Sequence, residues 1–191
     1  MIEVVDADAA RRALAAGLLR CPSCDGSLRP WGRTRERAVA GREGTVTMRL
    51  NRTRCRSCRT THVVLPADLV AGRSYPLGVI SAALIAAGAG AGAGSVADQL
   101  GLPPGTVRSW LRRARRNAEA LYRFGVQTVV ALDPDLLPTT PRATMLGNAL
   151  DALSAAALAT IRRFSPDQPA RLWPVINVLI RGRLLAPAFS P

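Results

Sequence analysis

Four cysteines constrain this chain more tightly than anything else in it. They form Cys21-Pro22-Ser23-Cys24 and Cys55-Arg56-Ser57-Cys58, two C-x-x-C turns with thirty residues between them. A two-residue gap lets both thiolates of a tight turn point at one ion, and two such turns supply the four sulfurs of a tetrahedral Zn²⁺ site. Gly26 follows the first pair and Thr60-Thr61 the second, so the backbone can fold back beside the metal. The spacing predicts a structural zinc ribbon with Cys21, Cys24, Cys55 and Cys58 as ligands. Four thiolates leave no open position for water or substrate. Two readings compete. A disulfide framework needs an oxidising compartment, yet no charged-then-apolar leader precedes Asp6 and Asp8. A thioredoxin-like redox pair belongs between a buried strand and a helix, whereas Asp-Gly-Ser and Pro-Trp-Gly follow Cys24. His62, four residues past Cys58, is a candidate to replace one sulfur, and a strand histidine beside the ribbon is its plainer role.

Charge narrows the partners. The 191 residues carry a formal charge of +13, and all 26 basic residues are arginine. Arginine in place of lysine, with much alanine and glycine, is what a GC-rich genome produces, so the choice of arginine says little. The excess of base over acid says more. Residues 1–70 hold thirteen arginines against seven acids, 71–125 seven against two, and 126–191 six against four. Positive charge in the first two-thirds favours a polyanionic partner. The uncharged run Ser74–Ala97 is long enough for a membrane span, but its second half is nearly all alanine and glycine, which gain little from lipid. A buried helix followed by a turn is expected instead.

The periodicities give a mainly α fold: a helix-turn-helix domain, a small N-terminal β zinc ribbon, and a helical C-terminal region. The expected division is an N-terminal helix over 1–20, the ribbon over 21–66, the helix-turn-helix domain over 74–125 and the helical region over 126–191. Asp6 or Asp8 is placed to cap a helix over Ala9–Leu19. Val46, Met48 and Leu50 alternate with polar residues, as a half-buried strand does, and His62–Pro66 is its expected partner across the second cysteine turn. The charged stretch Arg33–Gly44 is read as an exposed loop. Ile80, Ala83, Leu84 and Ala87 mark one helix face, Ala143–Phe164 a second helix, and Pro169–Arg181 a last one with Trp173, Ile176 and Ile180 inward.

The segment Ser95–Arg116, SVADQLGLPPGTVRSWLRRARR, is the second strong signal. Ser95 and Asp98 have capping-box spacing, Gly101 ends a short helix, and Pro104 suits the first position of another. Burying Val96, Ala97, Leu100, Val107 and Leu111 between the two helices leaves Gly105, Thr106, Arg108, Ser109 and Arg112 on the outer face, where base edges would lie. Arg113, Arg115 and Arg116 extend the charge towards phosphates, and Arg108 or Arg112 suits a bidentate guanine contact. Trp110 fits either packing or DNA. An amphipathic helix with a solvated arginine face is the bland alternative.

Gln99–Arg113 resembles the helix-turn-helix segment of bacterial insertion-sequence transposases and related regulators, and CPSCDGSLRPWG with RCRSCRTTHVVLP resembles the zinc ribbon that precedes it. The pairing also resembles short bacterial zinc-ribbon/helix-turn-helix proteins found near mobile elements, over about residues 20–124. The transposase pattern is incomplete, since strand transfer needs three carboxylates converging on two Mg²⁺ ions. Only Glu119, Asp133, Asp135, Asp151 and Asp167 follow the helix-turn-helix segment. The expectation is therefore a cytoplasmic, nucleoid-associated protein without catalytic activity that binds double-stranded DNA, with structural Zn²⁺, no membrane and no small-molecule substrate. It would regulate transcription or a mobile element. A protein–protein adaptor and an accessory or truncated transposase are the alternatives. A homodimer stays open, although no heptad is present.

Overall fold

The computed structural model describes residues 1–41, 44–167 and 171–189. It divides into two compact units, Met1–Pro76 and Leu77–Pro191.

The first unit is a mixed α/β structure. Strand β1 (Ile2–Val4) is followed by helix α1 (Ala7–Ala15) and then β2 (Leu28–Arg33), β3 (Arg37–Gly41), β4 (Gly44–Met48), β5 (Asn51–Cys55) and β6 (Thr61–Pro66). Four strands form one sheet in the order β1-β6-β5-β2, and β3 and β4 form a separate two-stranded sheet. β1 runs parallel to β6, with Ile2 opposite Val64. Parallel neighbours cannot be joined by a tight turn. α1 begins at Asp6, whose side chain accepts from the N–H groups of Asp8 and Ala9. Its Leu14 packs with Cys21, Leu28 and Cys55. A second cluster of Val39, Leu50, Leu65 and Leu69 joins the β3–β4 side to β6.

This architecture corrects the mainly α expectation. The chain is 48% helix and 18% strand, and no separate ribbon stands at its front among the described residues. The cysteine turns are built into a sheet that also takes up the N-terminal strand. Strand pairing differs as well. β4 pairs with β3, matching Val46 to Val39, and β5 is the strand that pairs with β6. The segment read as an exposed loop thus supplies β3. Its alternation is short and carries arginine at one end and glycine at the other, which conceals a strand that buries only Val39.

The second unit is helical. It comprises α2 (Leu77–Gly88), α3 (Ala93–Leu100), α4 (Pro104–Leu132), α5 (Met145–Phe164) and α6 (Leu172–Leu179). No described helix is long and apolar enough to cross a membrane. α3 starts two residues before Ser95, with Gly92 at its cap, so Ser95 is not the capping residue. Gly101 ends it in the left-handed conformation at φ 63°, where its N–H reaches the Ala97 and Asp98 carbonyls. A side chain would be strained there. α4 opens at Pro104 and continues unbroken through residue 125 to Leu132. α4 and α5 approach so closely that a methyl on Gly125 would lie 2.7 Å from the Ala152 carbonyl carbon. Thr144 ties α5 to α2: its hydroxyl accepts from the Gly147 N–H and donates to the Gly88 carbonyl at 2.7 Å. Asn117 of α4 is buried and holds the C-terminal segment through the Ala186 carbonyl and the Phe189 N–H. The expected start of the last helix at Pro169 lies outside the described residues. Ile176 and Ile180 are buried, and Trp173 is half-buried.

Candidate metal centre

The sheet register brings the two cysteine turns together. β2 and β5 pair antiparallel with Leu28 opposite Cys55, so the first turn, just before β2, meets the second, just after β5. Each turn closes on its own backbone. The Asp25 N–H donates to the Cys21 carbonyl at 2.8 Å, and the Cys21 N–H to the Gly26 carbonyl at 2.9 Å. In the second turn the Cys55 N–H donates to the Thr60 carbonyl at 2.9 Å. Asp25 and Arg59, the residues following Cys24 and Cys58, both have left-handed backbone at φ 58° and 65°. The two turns are copies of one local fold, and each holds one buried and one exposed cysteine: Cys21 and Cys55 inside, Cys24 and Cys58 outside.

All four Sγ atoms lie within 4.8 Å of one another. Cys21 and Cys58 are 3.7 Å apart and Cys24 and Cys55 3.5 Å. A tetrahedron with metal–sulfur bonds of about 2.3 Å has an edge of roughly 3.8 Å, close to both separations. A disulfide would hold its sulfurs at about 2.05 Å, so all four cysteines are free thiols. The set could hold a metal ion. Gly26 fits tightly beside it, since a methyl there would meet Ser57 Oγ at 2.5 Å and Cys55 Sγ at 3.1 Å.

The electrostatics of the cluster favour a cation. The Thr60 hydroxyl and N–H bring Cys58 down to about 6. Cys55 is also lowered, the N–H groups of Cys58 and Ser57 outweighing its desolvation. Cys24 is driven up to about 11. There the Gly26 N–H favours the thiolate, but the neighbouring Cys58 and Cys55 sulfurs, with desolvation, outweigh it. The neighbouring sulfurs thus disfavour a thiolate at Cys24, and a metal ion, whose ligation requires deprotonated cysteines, would offset that.

His62 lies next to the set and not in it. Its Nε2 is 3.3 Å from Cys21 Sγ, and the ring is buried. Desolvation, then the N-terminal ammonium, lower its pKa. A neutral ring in its Nε2–H tautomer can donate to the Cys21 thiolate. Ligating groups are commonly oriented by such a partner.

In the second unit, Val107, Trp110, Leu111 and Ala114 are buried, and Val96 and Ala97 of α3 are buried as well. Gly105, Arg108, Arg112, Arg115 and Arg116 are exposed, and Thr106 and Ser109 are partly so. Arg116 reaches towards the Pro187 carbonyl at 3.5 Å. Arg113 turns aside, with its Nε buried and without a hydrogen-bond partner among the described residues. Trp110, at 3% exposure, packs inward.

One feature lay outside the sequence reading. Arg29 and Arg54 stack on the exposed Trp31 with guanidinium carbons 4.9 and 4.6 Å from the ring centre. The run Arg-Pro-Trp-Gly-Arg was the available signal, an aromatic between arginines.

Residues 21–99 match a family model described as a domain of unknown function (DUF6431). The match runs from the first cysteine to Gln99 in α3. No curated protein and no solved structure matches the chain.

Proposed function

We propose that the protein is a zinc-containing, sequence-specific DNA-binding regulator that acts by occupancy, with α3, the Gly101 turn and the start of α4 working as a helix-turn-helix. The observation that carries this reading is the arginine stripe of α4. Arg108, Arg112 and Arg115 recur at i, i+4 and i+7 on its solvent side, roughly 100° around the helix from the buried Val107, Leu111 and Ala114. That spacing gives one basic face at the N-terminal end of a helix, the part that contacts base edges in this motif. Gly105 is exposed with nothing within 4 Å of a built methyl, which leaves room for close approach to a groove. Zn²⁺ is the proposed ion because four thiolates at tetrahedral spacing suit it.

Three of the acids that follow the helix start are in ion pairs: Glu119 with Arg123, Asp133 with Arg162, and Asp151 with Arg142. This supports regulation of transcription or of a mobile element over strand transfer, in keeping with the likeness to the DNA-binding part of insertion-sequence transposases.

Selection of bound duplexes from a random pool, followed by a salt titration, tests the reading. Neutralising about five phosphates gives a log–log slope near −4.5. Arg108→Ala should relax preference at one base position. Negligible duplex affinity at low salt would instead make the protein an adaptor, and metal-dependent cleavage would make it an accessory transposase.

A further inference from the structure

We infer that the open half of the β2–β5–β6 sheet face, centred on Trp31 with Arg29 and Arg54 beside it, binds single-stranded nucleic acid by stacking an unpaired base on the exposed part of the indole. The inference goes beyond duplex reading by α4 and stands on the first unit alone.

Side chains alternate across a sheet. On β2 and β5, Leu28, Thr53 and Cys55 are buried on the side of the cysteine cluster, and the intervening Arg29, Arg52 and Arg54 belong to the other face. The β2 ladder slips after Pro30, and Trp31 is placed on that face by its contacts with Arg29 and Arg54. Thr61 of β6, opposite Arg54, extends that face and is exposed. Further along β6, Leu65 is closed off with Val39, Leu50 and Leu69, and Val63 packs against that cluster. The covered half is apolar. The uncovered half is basic around a single tryptophan that is 40% exposed.

Base exceeds acid around this face. Residues 26–35 contain three arginines and residues 44–67 contain five, with no acid in either stretch, although Arg49 pairs with Glu36 at 3.1 Å. Neither Arg29 nor Arg54 has an ion-pair partner among the described residues. Two like charges on one indole repel each other, and a polyanion relieves that repulsion. Arg54 is held in place by its Nε, which donates to the Arg59 carbonyl at 3.1 Å. An aromatic platform with cations beside it is how proteins bind unpaired bases along a phosphate chain. In a duplex the base faces are covered by their neighbours, so an exposed indole selects single strands.

The test uses the full-length, metal-loaded protein and a labelled oligothymidylate, in parallel with a labelled duplex. Trp31→Ala should weaken single-strand binding roughly 5- to 150-fold, the range for losing one stacked base. Duplex affinity should stay unchanged, and Trp31→Phe should keep most of the single-strand affinity. Arg29→Gln with Arg54→Gln should lower the single-strand salt slope by about 1.4, at roughly 0.7 per phosphate. This pair keeps the test decisive should the alanine variant fold poorly. Arg108→Ala should alter duplex binding only, which separates failure here from failure of the α4 reading. Four outcomes would overturn the inference: no single-strand binding by the wild type, unchanged affinity in the Trp31 variants, equal losses on both nucleic acids, or displacement by polyglutamate as effective as by DNA.

Discussion

Removing the metal should unfold the cysteine side of the first unit and leave the second unit intact. The cluster beneath α1 has four buried members, Leu14, Cys21, Leu28 and Cys55, and two of them belong to the sulfur cluster. Burying Leu14 and Leu28 stabilises by about 1.5–3 kcal/mol each, or about 3–6 kcal/mol together. A structural Zn²⁺ contributes about 10–16 kcal/mol of apparent binding free energy, while whole domains are stable by only about 5–15 kcal/mol. On the proposed zinc reading the ion would therefore outweigh the apolar packing around it. Hydrogen exchange followed by mass spectrometry, with metal content measured on the same samples, is the assay. Chelation, or Cys55→Ser, should expose the amides of β2 and β5, while those of α4 and α5 stay protected. Stoichiometric loss of metal with unchanged protection in β2 and β5 would refute the reasoning, because the sheet would then be stable without its ion.

Three further outcomes follow from the packing. Gly125→Ala gains about 1 kcal/mol in helix propensity but drives a methyl into the Ala152 backbone; overpacking costs about 1–3 kcal/mol, so urea denaturation should show a net loss of up to about 2 kcal/mol and no net gain. Gly94→Ala, where nothing lies within 4 Å, should instead stabilise by up to about 1 kcal/mol. Asn117→Ala leaves the Ala186 carbonyl and Phe189 N–H without their partner and should cost about 1–3 kcal/mol per unsatisfied group, with faster proteolysis of the C-terminal segment. The Ala9 and Asp8 N–H groups hold Asp6 below its ordinary pKa of 3.8, so its contribution to α1 is complete above that value and lost as pH falls through the depressed one. Asp6→Asn, which caps without titrating, should abolish this acid-range change in the Ala9 amide shift measured by NMR.

Signals that rest on spacing were legible in the sequence, and signals that rest on pairing were not. Cysteine spacing identified all four members of the sulfur cluster, because a C-x-x-C turn fixes its own geometry. The Gly101–Pro104 punctuation set the end of α3 and the start of α4, since glycine and proline act locally. β1 was concealed because three residues are too few for a period to register, and its support comes from β6, sixty residues away. β2 contains Pro30 and Gly32, which argue against a strand, and its ladder does slip between Pro30 and Arg33. Once those two strands are missed, the best remaining alternation, at residues 46–50, is assigned the wrong partner. The count of strands then falls enough to change the fold class.

The arginines of the first unit raise a separate question, because genome composition accounts for arginine over lysine but not for where the charges sit. With the proposed Zn²⁺ bound, four thiolates around one divalent cation would carry a net charge of −2, which would draw cations towards the turns. Arg59 closes the second turn in left-handed backbone, and its carbonyl is the acceptor that orients Arg54. Arg54 in turn stacks on Trp31. One short chain of contacts thus links the metal turn to the basic face on the other side of the sheet. Arginine suits that link where lysine would not, because its planar head can donate to a carbonyl and lie on an aromatic ring at once. Arg54→Lys should therefore loosen the Trp31 face while leaving the sulfur cluster able to hold its ion.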